Sequence, residues 1–214
     1  GMILVTPNYR TTEVPKISAE LSALKDKNVI MLIITIVFGF SGVFTAYTFL
    51  EPMLREIANM GDLGVTFSML MFGTFAVIGN FSSGSIQPGK LTGAVTLVIM
   101  FLAIVLFGLT FMLQVPYLAY IAAGLFGLGT FGISPMLNAK IIFAAVTAPA
   151  LAGTLAASVF NLANAIGASL GSVLLSSNFS YMEITFVAGG MLIFGALCMV
   201  ATHFIEDKNR FTSE

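Results

Sequence analysis

The sequence predicts an all-α membrane protein that crosses the bilayer six times, on three observations. Hydrophobic residues make up 57% of the 214 and charged residues only 9%, with a mean hydropathy of +0.99. A soluble domain carries about a quarter charged residues, so this chain cannot cover itself with a water-compatible surface. Apolar runs fall at 29–51, 64–84, 91–113, 117–137, 150–175 and 182–205, each near the ~20 residues that cross a ~30 Å hydrocarbon core as a helix. The basic residues then divide unevenly. Arg10, Lys16, Lys25, Lys27, Lys90, Lys140, Lys208 and Arg210 fall on the side of the termini, and only Arg55 on the other. This positive-inside pattern predicts a multi-pass protein of the cell's inner (plasma) membrane with both termini cytoplasmic.

Helices follow because backbone groups find no water partner in lipid, and the runs lack the period-2 alternation of a barrel strand. The expected organisation is a cytoplasmic linker at 1–28, a six-helix bundle at 29–205 and a cytoplasmic tail at 206–214. Within the linker, Ile17, Leu21 and Leu24 share a face after Pro15, which predicts a short amphipathic helix on the membrane surface.

The first span holds "GFSGVFTAYTFLEP", whose Gly-x-Ser-Gly is the local pattern around the serine of rhomboid-type proteases. Depth argues against a nucleophile. Ser41 lies about twelve residues into its span, roughly 18 Å, whereas His203 lies roughly 3 Å from the end of the last. A base must approach its nucleophile's proton to ~3 Å. Ser41 is therefore expected in a packing or cavity stripe with Phe38, Thr45 and Thr48, beside the small residues Gly39, Gly42 and Ala46. Tyr47, with Tyr117, Tyr120 and Tyr181, sits near the outer ends of spans, where an amphipathic ring prefers the interface.

The second span carries Asn80 in "VIGNFSSG". The third, "LTGAVTLVIMFLAIVLFGLTFML", is bulky and apolar all round and is expected to face lipid. The fourth aligns Gly127, Thr130, Ser134 and Asn138, with Pro135 able to kink it by removing a backbone donor. The fifth opens at Pro149 and is two-faced: Ser158, Asn161, Asn164, Ala165, Ala168, Gly171 and Ser172 fall on one small or polar arc at ~100° per residue. Opposite them stand Val159, Leu162, Ile166, Leu170 and Val173. Helices in lipid associate by close backbone approach and a few hydrogen bonds, which accounts for Gly167 and Gly171 as a packing motif. Two asparagines a turn apart are less cheaply hidden and point to a polar cavity.

The absences narrow the function. Nine Lys and Arg leave no nucleic-acid footprint, and the lone Cys198 excludes an internal disulfide and a multi-cysteine metal site. There is no HExxH, no GxGD pair and no phosphate-cradling glycine loop; no catalysis, cofactor or metal is expected. No ionisable residue lies near the centre of a span, where one would be a functional candidate.

The pieces "FGFSGVFTAYTFLEPML", "FGTFAVIGNFSSG", "GTFGISPMLNAKI" and, most specifically, "APALAGTLAASVFNLANAIGASLGS" resemble the seventh, eighth, tenth and eleventh helices of a major facilitator superfamily transporter. The branch is that of drug:proton antiporters and arabinose-efflux-type permeases. The resemblance runs from about Thr6 to the end, and "GMILVTP" looks like the tail of a sixth helix. It implies the carboxy-terminal six-helix half, built as two inverted three-helix repeats, working by alternating access. Spans 1 and 4 would line the cavity, 2 and 5 would meet the other half, and 3 and 6 would face lipid. Two departures stand out. "GNFSSGSIQPGK" keeps Gly79 and Gly84 but lacks the acidic residue of the family's loop signature, and the half that usually carries the proton-handling carboxylates is not in this chain.

The resulting expectation is half of a secondary transporter, effluxing a sugar or small hydrophobic drug in a proton-coupled manner. Its partners would be lipid, a small-molecule substrate and an amino-terminal six-helix half in cis or trans, or a second copy. The alternative is a truncated or homodimerising membrane protein without transport. Candidate cavity residues are Ser41, Thr45, Tyr47, Thr48, Asn80, Thr130, Ser134, Asn161 and Asn164; the packing candidates are Gly39, Gly42, Gly167 and Gly171.

Overall fold

A computed structural model describes residues 26–144 and 149–211. The expected amphipathic helix near residues 13–27 and the segment before it lie outside the described residues, save for the start of the first helix. Helix α1 (Lys27–Tyr47) is capped by Asp26, whose carboxylate accepts from the Asn28 N–H at 2.7 Å. The first span breaks there and resumes as α2 (Leu50–Glu56). Pro52 explains the position of the break, because its ring collides with the carbonyl four residues back, that of Thr48, and offers it no N–H. In the turn after α2, Asn59 occupies the left-handed region at φ 50°, a conformation that Asn tolerates better than most side chains.

Then follow α3 (Asp62–Gly84), a 3-10 turn (Pro88–Lys90), α4 (Leu91–Leu113) and α5 (Pro116–Ala144). The last two helices are α6 (Pro149–Ser176) and α7 (Tyr181–Phe211). Both α5 and α6 begin on proline, where the missing N–H would have been an orphan in any case. A reciprocal cap starts α7: Glu183 accepts from the N–H and hydroxyl of Ser180, each at 2.7 Å, and the Ser180 hydroxyl accepts from the Glu183 N–H. Six helical stretches among the described residues are long and apolar enough to cross a membrane, α1 and α2 together making the first.

The packing pattern has an internal symmetry. The broadest contacts join α3 to α5 and α1 to α6 as parallel pairs, and α1 to α7, α4 to α7 and α4 to α5 as antiparallel ones. Exchanging spans 1, 2, 3 with 4, 5, 6 maps this set onto itself. The chain is thus two inverted three-helix repeats in one bundle. Each parallel pair is brought close by glycine. A side chain at Gly79 would run into the Leu128 carbonyl and one at Gly127 into the Phe72 carbonyl; in the other pair, one at Gly167 would strike the Ser41 carbonyl.

Coverage by neighbours is uneven. The second and fifth spans are only 28% and 22% buried, against 61% for the first. The third span, apolar all round and expected to face lipid, has one exposed and one buried side. Val95, Ile99, Leu102, Leu106 and Leu109 are buried while Leu97, Ile104 and Phe111 are exposed. Uniform apolarity gives such a helix no preferred face, so its neighbours assign one.

Candidate functional site

A cavity of about 480 Å³ opens between α1, α5 and α6. From α1 it receives Phe40, Phe44 and Tyr47, which share a face at spacings of four and three residues. These rings belong to a continuous aromatic chain. Phe160 of α6 meets Phe40 edge-on at 4.7 Å, and Phe40 lies 5.7 Å from Phe44. Phe44 is 5.5 Å from Tyr47, which is 5.3 Å from Phe72 of α3; Phe72 is 6.1 Å from Phe131 of α5. Edge-to-face and tilted pairs at these separations are favourable arrangements of aromatic quadrupoles.

The polar lining is neutral. Helix α5 contributes Thr130, Ser134 and Asn138, four residues apart on one stripe. Ser134 donates back to the Thr130 carbonyl at 3.4 Å and Asn138 to the Ser134 carbonyl at 3.0 Å. Pro135 interrupts the ladder beside them, leaving the Phe131 carbonyl without its helical donor. Helix α6 contributes Asn161 and Asn164, with Gly153 and Ala157 keeping the wall low in the turns before them. Thr130 Oγ1 and Asn164 Oδ1 are buried and find no hydrogen-bond partner among the described residues.

The structure thus brings five of the sequence candidates together, namely Tyr47, Thr130, Ser134, Asn161 and Asn164, and separates four. Ser41 and Thr45 are fully buried and lie in the α1–α6 seam. Ser41 donates to the Ala163 carbonyl at 2.9 Å, and the Thr45 hydroxyl to the Ser41 and Gly167 carbonyls at 2.8 and 3.1 Å. Small residues bring the two backbones near enough for hydroxyls to bridge them, which removes both side chains from the cavity. Thr48 is exposed and bonds back to the Phe44 carbonyl at 2.8 Å. Asn80 is exposed on α3, away from the cavity.

The predicted arc of the fifth span is divided among three surroundings. Asn164 lines the cavity, Ser158, Ala165 and Ser172 are exposed, and Gly171 packs with its α-carbon side toward Phe49 and Thr45. Of the packing glycines, a side chain at Gly42 would come within 2.6 Å of the Ala188 carbonyl, and one at Gly171 within 2.6 Å of the Phe49 ring. Gly39 is buried opposite Gly195, yet its own missing Cβ would meet nothing within 4 Å.

Gly42 faces Ala188 and Met191, and Gly195 faces Gly39 and Thr35. Ser41 is therefore level with residues near 191 of α7, so His203 lies roughly 18 Å further along that helix at 1.5 Å per residue. That backbone separation is far beyond the ~3 Å at which a base takes a nucleophile's proton. The residues that sequence reasoning missed are the rings Phe40, Phe44, Phe131 and Phe160. Their signal was present, since Phe40, Phe44 and Tyr47 follow helical spacing on the first span.

A membrane bundle of two inverted three-helix repeats, with a neutral cavity and two incompletely covered helices, has the architecture of one half of a major facilitator transporter. No family model matches the chain. Among curated proteins it is similar to the uncharacterized MFS-type transporter YfhI of Bacillus subtilis, 33% identical over 98% of this chain and 53% of that protein. It is also similar to a probable sugar efflux transporter of Helicobacter acinonychis, 23% identical over 97% of this chain and 52% of that one. A chloramphenicol resistance protein of Streptomyces lividans is 22% identical over 78% and 44%. The chain spans about half the length of the curated relatives it matches. It is a half-length homologue of MFS-type transporters, with efflux proteins among its relatives.

Proposed function

We propose that the chain is one half of a secondary transporter that exports a small organic solute, a sugar or an apolar drug, by alternating access against a second six-helix half. The observation that carries this reading is the cavity. It is bounded on α1, α5 and α6, while α3 and α6 are the least covered helices of the bundle. A second bundle seated on α3 and α6 would close it into a central site of the kind at which repeats rock. The sugar and chloramphenicol names among the relatives support the solute class. Coupling to protons is part of the proposal and is assigned to the second half, since the cavity-lining side chains among the described residues are uncharged. The positive-inside pattern supports an inner-membrane protein with cytoplasmic termini.

The test is reconstitution. The chain alone in proteoliposomes should give no proton-driven uphill solute movement, whereas co-reconstitution with an amino-terminal six-helix half should restore it. Uphill transport by the chain alone refutes the dependence on a partner. Stable homodimers that neither bind nor move solute favour a packing module without transport.

A further inference from the structure

We infer that this half of the site selects an uncharged, ring-bearing solute with hydrogen-bonding hydroxyl groups, and discriminates against the same skeleton carrying an ammonium or a carboxylate. The inference rests on the transporter reading and specifies its substrate class.

Three features of the cavity converge on it. The first is the aromatic chain from Phe160 through Phe40 and Phe44 to Tyr47, which provides flat apolar surface along one side. Rings bind such surface by area burial and by the edge-to-face geometry already present among the wall residues. The second is neutrality: the polar side chains on the opposite side are hydroxyls and amides, with no acid or base among them. A charge entering a low-dielectric pocket without a counter-charge loses far more hydration than such dipoles return. A neutral hydroxyl or amide loses much less, and a single hydrogen bond compensates it.

The third feature is hydrogen-bonding capacity left unspent on both walls. Asn164 Oδ1, an acceptor, and Thr130 Oγ1, which can donate or accept, are buried and without a partner among the described residues. Asn138 and Ser134, by contrast, turn their donors to backbone carbonyls of their own helix. A buried polar group left unpaired is unfavourable, and a small amide or hydroxyl rotation would let α5 and α6 meet a hydroxyl presented from the cavity.

The experiment compares three probes of one shape: 1-phenylethane-1,2-diol, its acid mandelate, and 2-amino-1-phenylethanol. Binding is measured by equilibrium dialysis against the full chain in lipid nanodiscs, so the reading does not depend on transport. The diol should bind at least about tenfold more tightly than either ion. Asn164→Leu should weaken the diol by about three- to tenfold, with helicity and thermal midpoint of the bundle checked in parallel. Asn161→Asp, at an exposed lining position that accepts a carboxylate without burial, should shift the preference toward the ammonium probe by about tenfold. Equal or tighter binding of either ion by the unaltered chain overturns the inference. So does an absence of saturable binding by all three, or a rank order that Asn161→Asp leaves unchanged. Should the co-reconstituted halves fail to transport while diol selectivity persists, the transporter reading falls and the selectivity stands.

Discussion

At the level of single residues, Ser41 and Gly167 illustrate how position rather than type sets a role. A serine in Gly-x-Ser-Gly surroundings carries no reactivity of its own; here its hydroxyl is committed to the Ala163 carbonyl inside a seam that Gly167 keeps narrow. Interhelical hydrogen bonds in lipid contribute about 0.6 kcal/mol on average, so the seam depends mainly on backbone proximity. Gly167→Leu should therefore be the damaging change, separating α1 from α6 at a cost of at least about 1–3 kcal/mol. Gly39→Ala, whose methyl meets nothing within 4 Å, should leave stability unchanged or raise it by up to the ~1 kcal/mol that a mid-helix glycine costs. Thermal unfolding in detergent, read by circular dichroism, compares the two; equal losses would mean that the seam is not where the backbones are held. Asn59 and Asn178 occupy the left-handed region at φ 50° and 64°, and there the residue type does set the role.

At the level of elements, two prolines shape the walls of the cavity. Pro52 ends α1 at Tyr47, placing that ring at the top of the aromatic chain, and Pro135 opens the ladder of α5 beside Ser134. Pro135→Ala supplies the missing N–H to the Phe131 carbonyl. The isolated bundle should become more stable, by up to the ~3 kcal/mol that an interior proline costs a helix, while solute exchange by the assembled transporter should slow several-fold. Unchanged exchange by the Pro135→Ala protein would show that the interruption has no part in the transport cycle. The first, second and last spans are tied by polar contacts at the end of the bundle that holds Arg55. Arg55 pairs with Glu51 and with Asp62, the latter at 2.8 Å, and the Tyr181 hydroxyl donates to Glu56 at 3.0 Å. All of these except Tyr181 are exposed, so the ties fix orientation more than they stabilise.

At the level of the whole molecule, the proposed transport cycle would place its moving boundary on α3 and α6, the least covered helices of the bundle. Sidedness is directly testable. With Cys198 replaced by Ala, single cysteines placed near Lys27 and Lys208 should both be protected from a membrane-impermeant maleimide added to intact cells. One placed at Asp62 should label at least about tenfold faster, as expected if the charge asymmetry sets the orientation. Labelling of the two end positions from opposite sides would remove the six-span topology and everything built on it.

The number of spans, the helical class and the separation of a small-residue seam from bulky faces were legible in the sequence, because hydrophobic length and residue size act locally and report directly on a helix in lipid. Thr130, Ser134, Asn161 and Asn164 could be read as cavity candidates for the same reason: amides and hydroxyls on one helical stripe have few other places to go. What only the tertiary structure decided is which neighbour each stripe meets. Ser41 and Thr45 share an arc with plausible lining residues, yet they face Ala163 and Gly167, whose lack of bulk lets α6 approach. Phe40, Phe44, Phe131 and Phe160 carry the apolarity of lipid-facing residues and became cavity walls because helices distant in sequence converge on them. A single helix specifies the periodicity of its faces; the rotation and the partner that give each face its meaning come from packing against the others.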